Sequence, residues 1–241
     1  PNENYARELL ELFTIGKGPA VGPGDYTNYT EDDVVQMARV LTGWRDLGFN
    51  TLNPAVTVDS VFIPNRHDVG DKTLSHRFDN EVITNLGADE YSHLIDVIFG
   101  KDEVARFISR KLYRWFIYYT ISDEAELNVI QPMADILVAS DYNIRPALEA
   151  LLMSEHFFDM LNVGPMIKNP LDFWMSVLKQ PEVEFPPNEL IANRFWWQMF
   201  RVTPVMQMEY YNPPSVAGWK AYYQEPQFYR MWINSVTLPL R

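Results

Sequence analysis

The chain has 241 residues, 47% hydrophobic and 22% charged, an ordinary globular composition that excludes wholesale disorder. Its 20 basic residues against 32 acidic ones leave a net charge of −12, which excludes broad nucleic-acid binding because phosphate contacts need a positive surface. The absence of cysteine excludes disulfide frameworks, thiol nucleophiles and thiolate-ligated metals.

The first helix is predicted from about Asn4 to Ile15. Tyr5, Leu9, Leu12 and Phe13 recur at helical spacing as its apolar stripe, and Gly16 stops it. A loop rich in Gly and Pro follows, from Lys17 to Tyr29. Thr30 then caps a second helix. Asp33 stands three residues on, at the capping-box position, and Glu31 and Asp32 suit the positive helix end. Val34, Val35, Met37, Ala38 and Leu41 form its stripe, which ends near Gly43.

Between Ala55 and Ile63 the period changes to two, with Val56, Val58, Val61 and Ile63 β-branched; this predicts a short hairpin or paired strands. From Asp79 the helical period returns, predicting helices over 79–86, 89–99, 102–119, 123–140, 145–160, 170–180 and 187–201. Asp79, Asp89, Asp102 and Asp123 suit caps or first turns, and Pro146 and Pro170 suit first-turn positions. Beyond Thr203, Pro204, Pro213, Pro214 and Pro226 predict short helices and ordered loops.

The expected fold is mainly α: a multi-helical single domain over residues 1–241 with a small β-hairpin insertion around residues 55–75. No linker marks a domain boundary. No run approaches the roughly 18 apolar residues of a membrane-spanning helix, so no transmembrane segment is expected in this chain. The chain begins at Pro1 and enters a helical pattern almost at once. That is the expected appearance of the C-terminal part of a longer protein, whose missing N-terminal portion would contribute to any site.

Several strings are jointly distinctive. They are Pro1 to Leu9 (PNENYAREL), Glu11 to Thr14, Tyr29 to Val34, Ala38 to Trp44, His67-Asp68 with Lys72-Thr73, Ala105 to Phe107, Lys111 to Tyr113, Ile167 to Pro170, and Pro213 to Trp219. In order and spacing they resemble the bacterial family known as domain of unknown function 1800, over nearly the whole chain. The resemblance implies a mostly helical bacterial protein, often exported and commonly encoded beside a sulfatase-like exported family. It implies an extracytoplasmic location, periplasmic or secreted. It brings no activity, cofactor or catalytic residue. It also implies a full length about twice this one, with the NENYARE string near the middle.

Four polar or aromatic features bear on function. On the first helix, Glu3, Arg7 and Glu11 share one face, and Glu8 lies on the next. Two carboxylates flanking an arginine can position a polar substrate or a metal, and equally are stabilising first-turn acids. The second is His67-Asp68 with Asp71 and Lys72. An adjacent carboxylate can orient an imidazole for acid–base work, whereas Asp68, Gly70 and Asp71 also suit a turn. Only His76, His93 and His156 remain, none in a matching metal-site spacing. If a catalytic site exists, Glu8, Arg7, His67, Asp68 and Lys72 are expected to converge in it.

Third, Arg106, Arg110 and Arg114 recur every four residues and could bind an anion, or pair with neighbouring acids. Fourth, residues 195–232 hold 12 of the 34 aromatics, Trp196, Trp197 and Trp219 among them. Exposed, these would make a glycan platform or a protein interface; buried, they would clamp the tail. The Asp25 to Asp32 loop lacks the glycine and terminal glutamate of a calcium-binding hand. Two function classes follow: a non-catalytic binding or assembly module for a glycan or another exported protein, and a hydrolase using the first helix and the His67-Asp68 loop.

Overall fold

A computed structural model describes residues 2–51, 53, 55–164, 167–213 and 232–240. The fold is mainly α, with three small two-stranded antiparallel sheets among the described residues. The elements are α1 (Glu3–Glu8), continued by a π-helical turn (Leu9–Thr14); β1 (Ala20–Gly22) and β2 (Asp25–Tyr26); α2 (Glu31–Val40); β3 (Trp44–Leu47) and β4 (Asp59–Phe62); and β5 (Lys72–Thr73) and β6 (Val82–Ile83). Then come α3 (Glu90–Phe99), α4 (Asp102–Phe116), α5 (Asp123–Ala125), α6 (Gln131–Ala139), α7 (Ile144–Leu152), α8 (Pro170–Lys179) and α9 (Glu189–Val205).

The chain forms two compact units, Pro1–Arg110 with Ile130–Ala147, and Lys111–Val129 with Leu148–Arg241. The divisions fall inside α4, inside α7 and at the π-helical turn Glu126–Ile130. No sequence linker could signal them. That π-helical turn leads without a break into α6, whose second residue is Pro132.

The first unit is built around α2. Thr30 caps it through a complete capping box: Thr30 Oγ1 accepts from the Asp33 amide, and Asp33 Oδ2 accepts from the Thr30 amide at 2.7 Å. Asp33 also accepts from the Ser75 amide and hydroxyl, each at 2.7 Å, and is fully buried. One carboxylate thus starts the helix and fixes the β5–β6 region to it. Val34, Met37, Ala38 and Val40 face the core with Leu74, Phe78, Ile83, Leu94 and Ile98.

Two local expectations are corrected, and the small β insertion resolves into its pairings. The stripe predicted for the first helix is largely its outer face. Tyr5, Leu12 and Phe13 are exposed, while Ala6, Leu10 and Ile15 are buried. Alanine at position 6 lets α1 lie close against α2, and that proximity decides which side faces inward. The hairpin near residues 55–75 is two separate pairings: Trp44–Leu47 pairs with Asp59–Phe62, and Lys72–Thr73 with Val82–Ile83. Residues 79–86 are therefore a turn and a strand, not a helix. Asp79 and Asn80 adopt left-handed φ of 57° and 56°, which a helix excludes, and β-branched Val82 and Ile83 extend after them.

In the second unit, α8 and α9 begin where expected, each capped by an asparagine side chain, Asn169 and Asn188. Trp232 is buried there.

Candidate functional site

The residues around His67 are placed by Gly43. Its φ of +91° is left-handed, and a Cβ there would lie 2.6 Å from the Phe62 ring and 3.1 Å from His67 Cβ. Only glycine permits that approach. The Thr42 hydroxyl then accepts from the Asp68 amide at 2.8 Å, and the Thr42 carbonyl lies 3.0 Å from His67 Nδ1.

On its other side, His67 Nε2 lies 2.8 Å from Glu90 Oε2, and the second Glu90 oxygen is paired with Lys72 Nζ. Lys72 also donates to the Asp68 carbonyl at 2.5 Å. All three side chains are buried: His67 is 2% exposed, Lys72 and Glu90 0%. Glu90 opens α3, so this cluster joins the 67–72 segment to that helix's first residue. Asp68 faces α2 instead. Arg39 grips it with two parallel bonds, Nε to Oδ2 at 2.8 Å and Nη2 to Oδ1 at 3.0 Å. Those bonds, with one from the Gly70 amide, hold the Asp68 carboxyl down to about 2.

Beside this cluster the structure opens a cleft of about 540 Å³, lined by Asn2, Tyr5, Leu41, Trp44, Arg45, Ser60 and Tyr91. Its aromatic wall is continuous with the buried cluster. Trp44 packs edge-on against Tyr91 with centroids 5.5 Å apart, and against Phe62 at 5.4 Å. Phe62 in turn meets His67 at 5.3 Å. Tyr5, Trp44 and Tyr91 all remain exposed.

A family profile described as protein of unknown function (DUF1800) matches residues 1–241. The chain belongs to the DUF1800 family. No curated protein and no solved structure matches it. The strings that carry the resemblance fall where this DUF1800 chain does its structural work. NENYARE supplies Asn2 and Tyr5 to the cleft, the Ala38 to Trp44 string supplies Arg39, Thr42, Gly43 and Trp44, and His67-Asp68 with Lys72 fills the buried cluster.

The predicted catalytic set divides. His67, Asp68 and Lys72 come together, but no hydrogen bond or ion pair joins Arg7 or Glu8 to them. Arg7 pairs with Glu31 at 2.6 Å, at the start of α2. Glu11, not Glu8, is the engaged acid of that helix: it pairs with Lys17 at 3.2 Å and accepts from the Tyr29 hydroxyl. Burial and that bond push the Tyr29 phenol well up.

In the arginine row, Arg110 pairs with Glu103 at 2.5 Å. Arg106 lines a cavity of about 300 Å³ with Asp102 and Asp135, and Arg114 is half-buried. Trp196 stacks on Phe185 at 4.5 Å, and Arg201 covers the exposed ring of Trp197 at 4.8 Å. Trp219 lies outside the described residues. Among the described residues, no group of three or more His, Asp and Glu is arranged to hold a metal.

Glu90, Thr42 and Arg39 do not stand out as site residues, because each carries an ordinary local role in the sequence: a first-turn acid, a helix-end polar residue and a surface cation. Tyr5 stands in the sequence as part of the first helix's apolar stripe. The signal available was Trp44 directly after Thr42-Gly43, an aromatic following a glycine that lets the chain turn sharply.

Two outcomes follow. Replacing Lys72→Met leaves Glu90 buried without its cation and is expected to cost about 3–5 kcal/mol in urea unfolding; a loss under about 1 kcal/mol contradicts the cluster. The Asp68 carboxyl is held below its ordinary 3.8, so the stability it contributes is complete above that value and lost as pH falls toward about 2. Unfolding midpoints measured down that range should fall more steeply for the native chain than for Asp68→Asn; parallel curves contradict it.

Proposed function

We propose that this DUF1800 chain is a binding module and that the cleft over α1, β3, β4 and the start of α3 receives a glycan. The observation that carries this reading is the lining: three exposed aromatic rings, Tyr5, Trp44 and Tyr91, with the polar Asn2, Arg45 and Ser60 in one concavity of about 540 Å³. Ligand pockets run to about 300–1,000 Å³, with apolar walls and a few convergent polar groups. Sugar rings offer one C–H face for an aromatic wall and an edge of hydroxyls for amide, hydroxyl and guanidinium groups.

Hydrolysis is the less supported reading. An acid–base pair needs groups within reach of substrate, yet His67, Glu90 and Lys72 are buried and bonded to one another. Asp68 is committed to Arg39, and Arg7 to Glu31. A glycan ligand accords with the extracytoplasmic location that the family resemblance implies.

The exposed aromatics of α9, including Phe195, Trp196, Trp197 and Phe200, support binding more generally. Of these, Trp196 and Phe200 line a small, largely apolar cavity of about 170 Å³, too small for the sugar unit that the larger cleft could receive.

Calorimetry against neutral oligosaccharides tests the proposal. Tyr91→Ala, and independently Tyr5→Ala, should weaken binding by roughly tenfold, while Trp197→Ala leaves it unchanged. Binding that is indifferent to Tyr5 and Tyr91 would overturn the cleft as the site.

A further inference from the structure

The charge inside the cleft narrows the ligand, and this step rests on the glycan reading. In a chain of net charge −12, cations are readily claimed by neighbouring acids. Arg7 is paired with Glu31, Arg39 with Asp68, Arg77 with Asp25, Arg110 with Glu103 and Lys101 with Asp79. Arg45 differs. It makes no ion pair with any described residue, and its one hydrogen bond runs from Nε to the Asp46 carbonyl at 3.3 Å. Both terminal nitrogens are uncommitted, and Arg45 lines the cleft.

Its position follows from the hairpin. Trp44 and Arg45 are consecutive on β3, opposite Phe62 and Val61 of β4. Trp44 is fixed between Phe62 and Tyr91, so the strand that carries Arg45 is fixed too. A guanidinium presents parallel N–H groups in a planar fork that matches the oxygens of a carboxylate or sulfate. Asn2 and Ser60, also in the lining, add neutral partners for hydroxyls.

We infer that the cleft selects a sugar unit carrying an acidic substituent, a carboxylate or sulfate, with Arg45 reading the acid and Tyr5, Trp44 and Tyr91 reading the ring. The repulsion expected from the net negative charge is a long-range effect. At physiological ionic strength it is screened beyond about 8 Å, whereas the Arg45 contact is direct.

The test is calorimetry at physiological ionic strength with three oligosaccharides of equal length: neutral, uronate-bearing and sulfated. The chain should bind at least one acidic oligosaccharide about tenfold more tightly than the neutral one, and which acid it prefers identifies the substituent. Arg45→Gln should bring the acidic and neutral oligosaccharides to within about twofold of each other. Arg45→Lys, which keeps the charge and loses the fork, should restore only part of it. Arg45 is exposed and buries nothing, so these variants keep the fold. Equal binding of all three overturns the acidic ligand and leaves the glycan reading intact. Binding of none overturns both. An acidic preference that survives Arg45→Gln overturns the role of Arg45.

Discussion

The first unit depends on one buried carboxylate. Glu90 is ion-paired with Lys72 and lies 2.8 Å from His67 Nε2 and 3.4 Å from the Leu86 amide, with no exposure to solvent. Such a cluster is not a cheap source of stability. Desolvating a carboxylate and an ammonium costs several kcal/mol each, and their attraction offsets that only when the geometry is good and the remaining groups are bonded. Its effect here is positional. An irregular segment between β4 and β5, with little backbone pairing of its own, is tied at His67 and Lys72 to the first residue of α3.

From that tie the cleft takes its shape. His67 supports Phe62, Phe62 supports Trp44, and Trp44 meets Tyr91, the residue after Glu90. The same short stretch of α3 thus anchors the buried charge with one side chain and walls the cleft with the next. α2 carries the complementary ties: Glu31 to Arg7, Asp33 to Ser75 and Arg39 to Asp68. These hold α1, the β5–β6 region and the 67–72 segment around one helix. The polar strings that resemble the family are therefore largely a bracing system, and the surface they brace is the aromatic cleft.

The parts legible in the sequence were those set by local chemistry. The α2 capping box needs only Thr30 and Asp33 three residues apart, and it forms as read. The Pro170 helix start is equally local. The parts that were not legible depend on contacts distant in sequence. Tyr5 and Leu10 have similar standing in a periodicity count, and only the approach of α1 to α2 decides that Leu10 is buried and Tyr5 exposed. The partner of Asp59–Phe62 is Trp44–Leu47, across an intervening loop, so an alternation search centred on residues 55–63 finds one strand and misses its mate. Glu90 reads as a helix-start acid, and nothing local shows that Lys72 and His67, some twenty residues earlier, will meet it.

The proposed ligand site is the cleft and not the exposed aromatics of α9. An NMR titration of the chain carrying ¹⁵N-labelled tryptophan with a bound oligosaccharide separates the two, because Trp44 is the tryptophan of the cleft lining and Trp196 and Trp197 lie on α9. The Trp44 indole resonance is expected to move on binding while those of Trp196 and Trp197 stay in place. A shift confined to Trp196 and Trp197, with Trp44 unmoved, would contradict it.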